Sequence, residues 1–192
     1  MDTKGKNYVR NLTLAAMFLA IGLLLPFLTG QIKQIGNMLL PMHIPVILCG
    51  LICGWQYGLG VGFVLPLLRH AMFGMPILFP TGISMAFELA AYGFTVGLLY
   101  SLSRWKCVVA LYRCMIIAML AGRVVWGIVQ TVLLGVGENG FTLEMFIAGA
   151  FLKAIPGIIL QLILIPAIMI ALNRTGLVRF TNNPAPAENA EN

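Results

Sequence analysis

The chain has 192 residues, 60% of them hydrophobic and 9% charged, where an ordinary soluble domain carries about 25% charged residues. A mean hydropathy of +0.95 excludes a soluble globule, which needs more charge to coat its surface, and a disordered chain, which lacks large apolar residues. Twelve Lys and Arg against six Asp and Glu give a net charge of +6, and in a membrane chain such basic residues fix orientation before they grip nucleic acid.

A helix needs roughly 20 apolar residues to cross a bilayer. Breaking the apolar runs at turn residues and charges predicts an all-α integral membrane protein, a single domain over residues 1–176 with six transmembrane helices. The first, at 12–28, follows Lys4, Lys6 and Arg10 and stops at Thr29-Gly30-Gln31. It resembles a signal peptide at its start, but no A-x-A-like cleavage site follows, so it reads as a retained span. The second, at 39–53, has His43 between two prolines and ends at Gly54-Trp55-Gln56-Tyr57-Gly58; the third, at 59–73, ends in Arg69-His70. Both are short, and the loop between them is uncharged, so a re-entrant pair is the alternative. Spans four to six fall at 82–102, 115–134 and 145–172, with Pro156 and Pro166 inside the last. Residues 177–192 read as a disordered cytoplasmic tail. Cys49, Cys53, Cys107 and Cys114 sit in or beside apolar runs, which favours packed free thiols over disulfides or a metal site.

Counting Lys and Arg in alternate loops sets the topology. With the N-terminus inside, the cytoplasmic segments hold Lys4, Lys6, Arg10, Arg104, Lys106, Arg113, Arg174 and Arg179, while the opposite side holds Lys33 and Arg69. Both termini are therefore expected in the cytoplasm. No GxxxxGK[ST] loop is present, so ATP-driven transport would take its ATPase from a partner.

The informative residues are those left inside the spans or at their ends: His43, Arg69, His70, Glu88, Arg123 and Lys153. A charge at membrane depth costs about 2.5–3.5 kcal/mol on insertion scales, so such groups face a partner or a cavity. A rise of about 1.5 Å per residue puts Glu88, Arg123 and Lys153 roughly 9, 16 and 12 Å below the outer boundary. Helical spacing extends them into stripes: Ser84, Glu88 and Tyr92; Arg123, Trp126 and Gln130; Gly149, Lys153, Gly157 and Gln161. Stripes of this kind offer donors, an acceptor and aromatic walls to a small polar solute. Arg69, Arg123 and Lys153 exceed Glu88 by two positive charges, a balance that a ligand carboxylate or phosphate would complete. Each residue also has a plainer use: Lys153 as a snorkelling lysine, Glu88 with Arg123 as a structural pair, Arg69 and His70 as interfacial anchors, Trp126 as packing.

The string Met42-His43-Ile44-Pro45 resembles the start of nickel and cobalt uptake proteins, but here it is internal, and Val46 stands where an acidic residue would be. No metal or other cofactor is expected. Small pairs at Ala16-x3-Ala20, Gly50-x3-Gly54-x3-Gly58, Gly93-x3-Gly97 and Ala118-x3-Gly122 permit close helix approach.

Six spans in about 190 residues, the basic N-terminus leading into Leu12-Thr13-Leu14-Ala15-Ala16-Met17-Phe18-Leu19-Ala20, the outer polar stripes and the block from Gly36-Asn37-Met38 to Leu65-Pro66-Leu67-Leu68-Arg69 resemble a known family. It is that of the substrate-binding S components of energy-coupling factor (ECF) transporters. The resemblance spans about residues 6–174. It implies a subunit of a prokaryotic plasma membrane that takes a vitamin-like micronutrient from outside, joins a transmembrane coupling subunit and two ATPases, and topples to release its cargo. Loops 29–38, 74–81 and 135–144 would gate the site. Cargo would meet Asn37, His43, Arg69, Glu88, Arg123, Trp126, Gln130 and Lys153, and Ala16 and Ala20 would meet the coupling subunit. The basic excess favours an acidic cargo, pantothenate or a folate-like compound. Membrane lipid is the other expected partner, nucleic acid is not, and the chain is read as no enzyme. Three alternatives stay open at this point: a nickel- or cobalt-binding S component, and two other classes. An intramembrane enzyme would need a nucleophile and base such as Ser84 and Lys153, without a GxSG or HExxH signature here. An autonomous secondary carrier would show internal repeats and broken helices.

Overall fold

The computed structural model describes residues 3–28, 41–104, 106–135, 142–149 and 154–174. Asn37, Lys153 and the tail 177–192 lie outside the described residues.

Every regular element named here is helical: α1 Thr3–Leu28, α2 His43–Cys53, α3 Trp55–Phe73, a π turn at Leu78–Gly82, α4 Ile83–Leu102, α5 Val108–Leu134, α6 Leu143–Ile147 and α7 Ile155–Arg174. Four helical stretches are long and apolar enough to cross a membrane: Tyr8–Pro26, Leu78–Leu102, Val108–Leu134 and Ile155–Arg174. The 19-residue α3 is diluted by Trp55, Gln56, Tyr57, Arg69 and His70. The 11-residue α2 is about 16 Å long, half of a bilayer core. Ten of its residues are buried, so α2 serves as the apolar centre of the bundle.

Several boundaries differ from those expected, each for a local reason. Helix α3 starts at Trp55 because the chain turns at Gly54 alone, where φ is 102° and glycine is favoured. Gly58 is inside the helix. Helix α5 starts at Val108, seven residues early, because Arg113 ends the apolar run without ending the helix; its side chain is exposed. Where one run was expected at 145–172, helix is described at Leu143–Ile147 and again at Ile155–Arg174, with residues 150–153 between them outside the description. Pro166 lies within α7.

The bundle is built on α4, which packs against α2, α3 and α5, while α1 lies along α2 and α3. Glycines set these crossings. A Cβ added at Gly50 would stand 2.6 Å from the Gly93 carbonyl oxygen, and one at Gly97 would stand 2.7 Å from the Trp55 backbone. A Cβ at Gly93 would strike Gly58, and one at Gly62 would strike Leu89. Main chains of α2, α3 and α4 therefore meet with no side chain between them, the close approach that small residues permit in lipid.

Helix direction follows from the contacts. Asn11 of α1 donates to the Cys53 carbonyl at 3.4 Å, and the rings of Tyr8 and Tyr57 are 6.4 Å apart, which joins the start of α1 to the end of α2 and the start of α3. At the other end Arg69 of α3 donates to the Leu23 carbonyl of α1 at 3.3 Å. The exterior is aliphatic: Val109, Ile116, Leu120, Val124, Ile128 and Val132 form an exposed face on α5. The interior holds His43, Arg69, Ser84, Glu88, Arg123, Gln130 and Gln161 as well as apolar residues. Apolar outside with charge inside is the arrangement suited to lipid.

Candidate functional site

The seven buried polar residues among those described obey one rule of position. His43 opens α2, Ser84 and Glu88 are in the first two turns of α4, and Gln161 is in the second turn of α7; Arg69 is near the end of α3, and Arg123 and Gln130 are in the second half of α5. Along α2 to α5 this places them toward one end of the bundle, called here the His43 end.

Three of them converge. Arg123 Nη1 is 2.9 Å from Glu88 Oε1, and His43 Nε2 is 3.7 Å from the same oxygen. The three residues are 6%, 2% and 1% exposed. Tyr92, one turn beyond Glu88, meets the His43 ring edge to face with centroids 5.1 Å apart. Gly122 makes this approach possible, since a Cβ there would stand 2.7 Å from the Tyr92 ring. Next to it, Arg123 is carried by the same close crossing of α4 and α5 to the carboxylate.

The cluster is paired in charge but incomplete in hydrogen bonds. His43 Nδ1 and Nε2, Glu88 Oε1, and Arg123 Nε and Nη2 are buried and have no hydrogen-bond partner among the described residues. The 2.9 Å contact of Arg123 with Glu88 is therefore a charge contact whose N–H bonds do not point at Oε1. An unsatisfied buried polar group costs about 1–3 kcal/mol, more when charged. Removing each ion from water costs several kcal/mol besides. Five such atoms stand in one place, beside the Tyr92 side chain, which shares a hydrogen bond with Arg123, and a cluster of this kind marks a candidate ligand site. Gln130 Oε1 and Gln161 Nε2 are also buried without a partner.

The other residues expected in the site are placed as follows. Arg69 is buried and bound to α1 through the Leu23 carbonyl near Pro26, where a cation suits the helix end. Trp126 stacks on Phe146 of α6 with centroids 6.2 Å apart, and a Cβ at Gly149 would stand 2.8 Å from its ring. Ser84 donates to the Pro80 carbonyl at 2.8 Å, so its hydroxyl is spent on the turn that starts α4. His70 Nδ1 is 2.8 Å from the Pro76 carbonyl and holds the chain after α3. Ala16 and Ala20 are exposed on one flank of α1, beside Met17, Ile21 and Leu24. Tyr92 and Gln161 were visible as members of polar stripes, but spacing alone gave no reason to put them in the cargo set.

A groove of about 460 Å³ lies on the exposed face of α5, lined by Val124, Gly127, Ile128, Thr131, Val132, Thr142 and Phe146. It is open and almost wholly apolar, so it suits acyl chains and shares no lining residue with the charged cluster.

This bundle, with an aliphatic exterior and charged groups buried toward one end, is that of a membrane protein. The chain matches the family of ECF transporter substrate-specific components over residues 10–169 and belongs to that family. It is thus a substrate-specific subunit of a transporter, not an enzyme. Membership implies interaction with a substrate and with the transport and ATPase subunits of an ECF module. No curated protein and no solved structure matches the chain.

Proposed function

We propose that the chain captures a small anionic, vitamin-like micronutrient at the His43 end, which faces the outside, and passes it to an ECF module in a prokaryotic plasma membrane. The observation that carries this reading is the buried cluster of His43, Glu88 and Arg123 with five hydrogen-bonding atoms unused. Arg69, Trp126 and Gln130 at the same end, with Asn37 and Lys153, complete the proposed contacts. In this reading the chain crosses the membrane six times, with both termini in the cytoplasm. In support, the exposed cations Arg10, Arg104, Lys106, Arg113 and Arg174 gather at the end opposite His43, the side that basic residues mark as cytoplasmic. A nickel or cobalt cargo is disfavoured because the Arg123 guanidinium already stands against the Glu88 carboxylate beside His43.

The test is mass spectrometry of the small molecule released when the purified protein is denatured. An anionic compound at close to one per chain, absent from an Arg123→Ala preparation that still folds, is the expected result. Uptake into liposomes by the purified chain without any ATPase would instead make it an autonomous carrier.

A further inference from the structure

We infer that Tyr92 is a positioning residue of the cargo site: from one turn behind Glu88 its hydroxyl holds the Arg123 guanidinium and its ring holds His43, so that both groups meet cargo in a fixed orientation. This rests on the reading of the cluster as the cargo site.

The two groups need holding for different reasons. Arg123 is a long side chain, and its Nη1 contact with Glu88 Oε1 at 2.9 Å is a charge contact, which sets a distance without setting the plane of the fork. His43 has no hydrogen-bond partner at either ring nitrogen among the described residues, so packing alone sets the plane of its ring. Groups left loose weaken binding, because their freedom is given up when a ligand arrives.

Tyr92 touches both. Its side chain shares a hydrogen bond with Arg123, and because a guanidinium carries donors only, the phenol oxygen is the acceptor. The guanidinium thereby gains a second fixed point besides Glu88. The rings of Tyr92 and His43 stand edge to face with centroids 5.1 Å apart and planes at 79°, a preferred geometry for ring pairs.

Tyr92 is itself well fixed. It is 1% exposed, and its ring lies in the notch at Gly122, where a Cβ would stand 2.7 Å away. Gly122 immediately precedes Arg123, so the ring and the guanidinium are registered to the same turn of α5. Since α4 starts at the His43 end, Tyr92 lies one turn deeper than Glu88. Cargo arriving from that end meets His43, Glu88 and Arg123 first, which makes Tyr92 a support behind them.

The probe is the compound released from the purified full-length chain, and its binding in detergent is measured by calorimetry. Tyr92→Phe keeps the ring and removes the acceptor. It is expected to weaken binding at least about fivefold, while the cargo-free chain unfolds within about 4 °C of the wild type. Tyr92→Leu, which also removes the ring beside His43, is expected to weaken binding by at least about a further threefold. A double-mutant cycle separates support from contact. In an Arg123→Lys background there is no planar fork to align, so adding Tyr92→Phe is expected to change affinity by less than about twofold. A loss of full size in that background makes Tyr92 a direct cargo contact and overturns the positioning role. Wild-type affinity in Tyr92→Phe overturns it as well, and so does a fall in unfolding temperature as large as that of Glu88→Ala, which would make Tyr92 a support of the fold alone. Each of these results leaves the cargo site in place. Release of no compound, with no binding by the chain, overturns the cargo site itself and this inference with it.

Discussion

Glu88 and Arg123 each make the other tolerable. With Arg123 2.9 Å away and almost no exposure, Glu88→Ala leaves a buried cation without its carboxylate, and loss of one partner of a buried pair costs about 3–5 kcal/mol. A large fall in thermal unfolding temperature in detergent is the expected outcome. Replacing both, Glu88→Leu with Arg123→Met, removes the two desolvation costs together and should recover most of that stability while cargo binding stays lost. If the double variant is as unstable as Glu88→Ala, the pair is bound into the fold by more than its mutual charge. At this scale the sequence was informative about which residues belong inside, because a charge within an apolar run has few other places to go. It was silent about which atoms remain free. Ser84 and Glu88 share a stripe, yet the Ser84 hydroxyl is taken by Pro80, and spacing carries no trace of that difference.

At the scale of the helices, apolar runs are a good guide to existence and a poor one to ends. Arg113 closes an apolar run but stands exposed on a continuing helix, and Trp55-Gln56-Tyr57-Gly58 reads as a loop yet forms the first turn of α3. The pair spacing Gly50-x3-Gly54-x3-Gly58 was visible, but its members divide: Gly54 makes the turn, and Gly50 and Gly58 meet each other and Gly93. Only the three-dimensional crossing distinguishes a turn glycine from a contact glycine. Gly93→Val tests the contact. Its side chain has no room beside Gly58, and overpacking of this kind typically costs about 1–3 kcal/mol. A clear drop in unfolding temperature is expected, measured against Gly60→Val at a site with nothing within reach, where helix propensity alone acts. Equal effects at the two sites would show that the crossing is looser than drawn.

For the whole molecule, the separation of jobs by place matters more than any single contact. Exposed cations stand at one end, buried polar groups lie toward the other, and Ala16 and Ala20 are exposed midway along α1. Ala16→Leu with Ala20→Leu should leave the cargo dissociation constant within about twofold, since surface changes away from a site seldom exceed ±0.5 kcal/mol. Uptake by cells that carry a complete ECF module should be abolished. Cargo affinity lost together with uptake would count against α1 as the coupling surface.

The meeting of α2, α3 and α4 through bare main chain also has a mechanical meaning. Helices separated by interlocked side chains can slide by exchanging rotamers, but backbones in contact have nothing to exchange. These three helices form a stiff plate, and whatever opens or closes around the cargo must swing against it. Spin labels on Leu59 of α3 and Leu102 of α4, both exposed, should therefore report one unchanging distance with cargo bound, with cargo absent and in the full transporter. A change of several ångströms between those states would mean that the plate bends.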